Sequence, residues 1–80
     1  MKQVAALYDV LMELIVEIER EDDGRWIAEI PMLAGVMAYG GTRGDALRAV
    51  EALALRVLAD RLEHGEIESA PASLSFRVAA

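Results

Sequence analysis

The 80-residue sequence contains no cysteine, a single histidine and only four aromatic residues, Tyr8, Trp26, Tyr39 and Phe76. The missing cysteines exclude disulfide staples, thiolate metal sites and a cysteine nucleophile together. With one histidine, His64, an imidazole-rich zinc site is excluded as well, and a carboxylate-only cage would suit Ca²⁺ or Mg²⁺ instead. Lysine is nearly absent: the eight bases are seven arginines and Lys2, set against fourteen acids, for a net charge of −6. That charge repels phosphate backbones and argues against autonomous nucleic-acid binding, while remaining compatible with a basic protein partner. Long apolar runs are also lacking, because acids or arginines interrupt each of them, so no membrane-spanning stretch is expected. Asp9 breaks the opening segment and no small-residue cleavage site follows it, which with the missing cysteines points to the cytoplasm.

The apolar fraction is 55%, but fourteen residues are alanine, so bulky core material is thin. A chain this short buries roughly 60–65% of its unfolded surface, which makes a lone monomer marginal. One domain spanning residues 1–80 is expected, with residues 1–11 as an N-terminal extension. Val4, Leu7, Tyr8 and Leu11 have the spacing of a short amphipathic helix, although the segment has no N-cap and is equally compatible with a frayed end.

From Glu13 the period changes to two. Leu14, Val16 and Ile18 alternate with Glu13, Ile15, Glu17 and Glu19, describing a half-buried strand with an acidic outer face. Glu21-Asp22-Asp23-Gly24 supplies turn chemistry. Arg25 to Ile30 forms a second strand with Trp26, Ala28 and Ile30 on one face, ended by Pro31, which lacks the N–H a ladder requires. Val36 to Tyr39 reads as a third strand, and Gly40-Gly41 breaks the sheet. Thr42 is a suitable N-cap with Asp45 in the first turn, opening a helix that runs to about His64 and stops at Gly65. Its apolar stripe comprises Ala46, Leu47, Val50, Leu53, Ala54, Val57, Leu58 and Leu62, with Arg56 and Asp60 spaced as an i,i+4 pair. After a connector containing Pro71, Leu74, Phe76 and Val78 alternate with Ser75 and Arg77 as a last strand. The fold class is therefore α+β, ordered βββαβ, with one long helix on one sheet face. A right-handed crossover places the last strand beside the first, for a spatial order of 3-2-1-4. Ile15 and Ile27 then lie on the face the helix leaves open, and self-association is expected to cover it.

These residues resemble a known family. Glu21-Asp22-Asp23-Gly24-Arg25-Trp26-Ile27-Ala28-Glu29-Ile30-Pro31 is similar to the "DEDGGYVAEIP" stretch of HicB-like antitoxin domains. Leu33-Ala34-Gly35 is similar to the following "LPG", with Ala34 in place of Pro, and Gly40 to Leu47 resembles "GDTLEEAL", with Gly41 and Gly44 as departures. The resemblance covers roughly residues 13 to 78. It implies a partial RNase H-like fold and the role of antitoxin in a type II toxin–antitoxin pair, sequestering a small basic HicA-like toxin that cleaves mRNA. Full-length HicB proteins usually carry a C-terminal DNA-binding module, which the resemblance does not reach, so operator binding is not carried over. Gly44 stands where the family has a first-turn acid, which weakens the start of the helix.

Six of the fourteen acids fall between Glu13 and Asp23. The candidate partner-binding residues are Glu17, Glu19, Asp22, Asp23 and Trp26; a solvated outer strand and a core tryptophan are the structural alternatives. Glu19-Glu21-Asp23-Gly24 echoes a calcium loop, but Glu is wrong at its first position and Ile30 stands where the bidentate acid belongs. Glu13, Glu17 and Glu19 share a strand face, yet no acids from the later strand and helix complete a two-metal nuclease site. Ser69, Ser73 and Ser75 lie in no nucleophile elbow, and His64 suits a helix C-terminus better than catalysis. The expected protein is a non-catalytic binding module without metal or cofactor, forming a homo-dimer or tetramer. The alternative is an orphan homo-oligomeric binding or scaffold domain with no toxin partner.

Overall fold

The computed structural model describes residues 11–79. Its elements are β1 (Leu11–Arg20), β2 (Trp26–Glu29), β3 (Met37–Gly40), α1 (Arg43–Glu63) and β4 (Ser73–Val78). They form an α+β domain with one four-stranded mixed sheet in the order β3-β2-β1-β4 and the helix on one face. β1–β2 and β2–β3 are antiparallel and β1–β4 is parallel. The βββαβ arrangement and the strand order are those expected from the sequence. The expected N-terminal helix lies outside the described residues, except for Leu11.

Leu11 belongs to β1 rather than to the N-terminal extension, because it pairs with Ser73 of β4, as Met12 does with Leu74. Alternation alone starts the strand at Glu13; a parallel neighbour from the far end of the chain lengthens it. On β1, Leu14 and Val16 are fully buried beneath the helix, flanked by Met12 and Ile18. Burying a side chain of this size contributes about 1.5–3 kcal/mol, so these two anchor the strand to the core.

β2 is shorter than the alternation implied, and β3 keeps its expected four residues but starts one residue later. Beyond Glu29 the ladder continues only as the Ile30 N–H donating to the Val36 carbonyl at 3.0 Å. Between them, Leu33 donates to Ile30 at 2.9 Å and Val36 to Leu33 at 3.0 Å, while Gly35 adopts φ +80. The link is thus a structured turn that buries Ile30, Leu33 and Val36. Gly40 is the last residue of β3, not a breaker outside it. A Cβ there would overlap the Ala46 backbone nitrogen and come within 2.8 Å of its Cα, so only glycine admits the helix this close to the sheet.

The helix begins as its sequence dictates. Thr42 is extended at φ −130, and its hydroxyl accepts from the Asp45 N–H at 3.0 Å. The Asp45 carboxylate turns to Arg48 at 3.2 Å. The helix ends in a Schellman arrangement: Gly65 at φ +74 donates to Leu62, and Glu66 donates to Arg61. Ala46, Val50, Ala54 and Leu58, spaced by four, form the buried line. Leu62, placed on the apolar stripe by its spacing, is 39% exposed. At that turn Leu62 borders an open groove shared with Ile67, Pro71 and Leu74 of β4, so it is only partly covered. Asp60 faces His64, 3.2 Å away, instead of Arg56. Among the described residues, no helix is long and apolar enough to cross a membrane.

Candidate functional site

The helix covers only one face of the sheet. Strand alternation and register decide what the other carries. Odd-numbered residues of β1 point there: exposed Glu13, Glu17 and Glu19, with Ile15 half-buried between them. Ile18 pairs with Ala28, which belongs to the core, so Ile27 and Glu29 of β2 share the open face with Glu17 and Glu19. Met37 and Tyr39 of β3 follow by the same rule, and Ser73, Ser75 and Arg77 enter from β4.

The register sets Glu17 directly opposite Glu29, and Glu19 directly opposite Ile27. Opposed residues on one face have Cβ atoms about 4.5–5.5 Å apart, so the two carboxylates repel. Together Glu17, Glu19, Ile27 and Glu29 line a shallow hollow of about 140 Å³. Among the described residues none of these three glutamates forms an ion pair, whereas Glu13 meets the Arg77 guanidinium at 3.4 Å. The face carries apolar surface as well: Met37 is 46% exposed and Tyr39 47%.

At the corner nearest the β1–β2 turn, Asp23 is already engaged. Its carboxylate accepts from the Arg25 backbone N–H at 3.0 Å and from Arg25 Nε at 2.7 Å. The backbone hydrogen bond first, and the guanidinium after it, hold the Asp23 carboxyl below the usual aspartate range. Arg25 also lies over the Tyr39 ring, 4.5 Å from its centroid, tying the turn to β3. Asp22 is exposed in the same turn, and Gly24 takes φ +90 to close it.

The five candidates read from the sequence therefore do not form one surface. Glu17 and Glu19 lie on the open face, Asp22 and Asp23 at its corner, and Trp26 on the opposite side. Trp26 pairs with Arg20 and Gly40 and packs against the core beside Ala38 and Ile18. Its even position in β2 commits it to the helix side, so it cannot anchor a partner bound to the glutamates. Glu29 takes the vacated place in the cluster. Its signal was available in the alternation with Ala28 and Ile30, but joining it to Glu17 requires the hairpin register. Among the described residues no group of three or more histidines, aspartates or glutamates is placed to hold a metal ion.

What this geometry offers is an acidic sheet face with apolar Ile27, Met37 and Tyr39 beside the glutamates. Comparison of the chain with protein-family models, curated proteins and solved structures yields no match.

Proposed function

We propose that the chain is the antitoxin-like binding domain of a type II toxin–antitoxin pair and sequesters a small basic HicA-like toxin on its open sheet face. The observation that carries this reading is the cluster of Glu17, Glu19 and Glu29, unpaired among the described residues and held on one face beside Ile27, Met37 and Tyr39. Opposed like charges weaken a sheet, and a cationic partner would offset that cost on binding. The apolar neighbours supply the desolvated centre that tight binding needs, since exposed charges contribute little each. The order and spacing of the HicB-like segments around Gly24, Pro31 and Thr42 support the same reading. On it the domain works in the cytoplasm as an inhibitor, not a catalyst, needs no cofactor and self-associates.

The test is co-expression with a small basic ribonuclease encoded beside this chain, followed by binding kinetics at two ionic strengths. Rescue of growth is expected, with association slowed by salt. Reversing Glu17, Glu19 and Glu29 to Lys should slow association by roughly 10- to 100-fold. No rescue and no complex would reject the antitoxin reading. Rescue with unchanged kinetics would move the interface elsewhere. Exposed Leu11, Met37 and Tyr39 on the same face favour a second reading, a homo-oligomeric scaffold; self-association without any toxin complex would select it.

A further inference from the structure

β4 is the outer strand of the sheet, and among the described residues no strand pairs with its far side. The Ala79 N–H donates to the Val16 carbonyl at 2.9 Å, so odd residues of this segment turn their backbone groups toward β1. Leu74, Phe76 and Val78 must then present theirs outward. Their side chains project on the helix side, where α1 lies over β3, β2 and β1 but gives β4 little cover. All three remain half-buried, whereas Leu14 and Val16 one strand inward are 0% exposed. The strand Ser-Leu-Ser-Phe-Arg-Val contains no proline or lysine, the usual devices that blunt an edge. At the other edge, β3 has only four residues and ends at Gly40.

We propose that two copies of this chain pair β4 to β4, antiparallel about a dyad at Phe76, to form one continuous eight-stranded sheet. In this register Phe76 opposes Phe76, and Leu74 opposes Val78 of the second copy. The outward backbone groups of both strands then meet in about six hydrogen bonds. The half-buried strip is stacked on itself. Moving the dyad to Ser75 would pair Phe76 with Leu74 and leave Val78 facing Ala72, beyond the end of the strand. The second copy's Val78 also arrives beside Leu74, on the rim of an apolar groove of about 260 Å³ formed with Leu55, Leu58, Leu62, Ile67 and Pro71.

Charge favours a second copy here. The strand carries no acid, although the chain has a net charge of −6. On the open face Glu13 pairs with Ser75, and Ser75 faces the second copy's Arg77. That row of three spans about 10 Å, within reach of a glutamate and an arginine extended over a serine. Each Glu13 already holds its own Arg77 at 3.4 Å. Two Glu13 and two Arg77 would therefore alternate in sign around the dyad. The interface uses the sheet edge and leaves Glu17 and Glu29 exposed, so it stands independently of the toxin-binding reading.

Sedimentation of the unmodified chain from about 1 to 100 μM should show the dimer mass. Because the chain lacks cysteine, Ser75→Cys and Arg77→Cys introduce lone thiols at exposed positions. Ser75 and the second copy's Arg77 form a non-hydrogen-bonded pair with Cα atoms about 4.5 Å apart, close enough for a disulfide. After mild oxidation, an equimolar mixture of the two variants should give roughly tenfold more linked dimer than either variant alone. A monomer throughout would overturn the proposal. So would linkage of Ser75→Cys to itself, which places the dyad elsewhere, or a dimer whose mixed thiols stay unlinked.

Discussion

Replacing Glu29 by Gln should stabilise the fold, although it removes a charge from a surface exposed to water. Glu29 stands directly opposite Glu17 on the open face, and both side chains are exposed. With the carboxylates about 6 Å apart in a water-like dielectric, Coulomb's law gives about 0.7 kcal/mol of repulsion. A Debye length of about 8 Å at physiological ionic strength roughly halves that figure. Cross-strand pairs generally fall in the same range, about 0.2–1 kcal/mol. For a domain of this size, the gain corresponds to roughly 2–4 °C in Tm. The assay is thermal and urea unfolding of Glu29→Gln beside the unmodified chain, at low and at high salt. At about 1 M salt the Debye length falls to about 3 Å and the difference should nearly vanish. Glu17→Gln should produce a similar gain, and the double variant less than the sum, because either substitution alone removes the shared repulsion. Destabilisation by Glu29→Gln at low salt, or full additivity with Glu17→Gln, would refute the register-based reasoning.

Two glycine substitutions should act in opposite directions. Gly40→Ala drives a Cβ into the backbone at Ala46 and should cost about 2–3 kcal/mol in urea denaturation. Gly44→Ala, in the first turn of α1 with nothing within 4 Å of the added carbon, should instead add about 0.5–1 kcal/mol. Asp23 has its folded-state pKa lowered, so the stability it contributes is present above the ordinary aspartate value and is lost as pH falls through the folded value. An NMR titration should show its carboxyl changing at lower pH than that of Asp23 in the unfolded chain. Arg25→Ala should move that transition only part of the way back, since the backbone N–H remains.

Much of this protein was legible in its linear pattern. Period-two alternation in Leu14–Ile18 and Leu74–Val78, turn chemistry at Gly24, a Thr42 cap and a Gly65 stop are local signals, written in backbone sterics and short-range hydrogen bonds. They suffice for the element order, for the inward faces of β1, β2 and β4 and for α1 to within a residue of each end. Once β4 is known to return parallel to β1, connection rules leave little choice of strand order. The acidic character of β1 was equally visible.

What the tertiary structure alone decided depends on partners distant in the chain. Leu11 and Met12 are strand because Ser73 and Leu74 arrive beside them. Gly40 is required by the approach of Ala46, a steric fact that no pattern around residue 40 contains. Leu62 keeps helical spacing but borders an open groove, because spacing fixes a direction and not how closely a distant segment packs there. The acidic site itself was redrawn by register, because a hairpin pairing brings Glu29 to Glu17 across twelve residues of sequence. A one-dimensional pattern tells which side of its own strand a residue occupies. Which charges become neighbours is settled only when strands pair, because Coulomb and packing energies depend on distance in space.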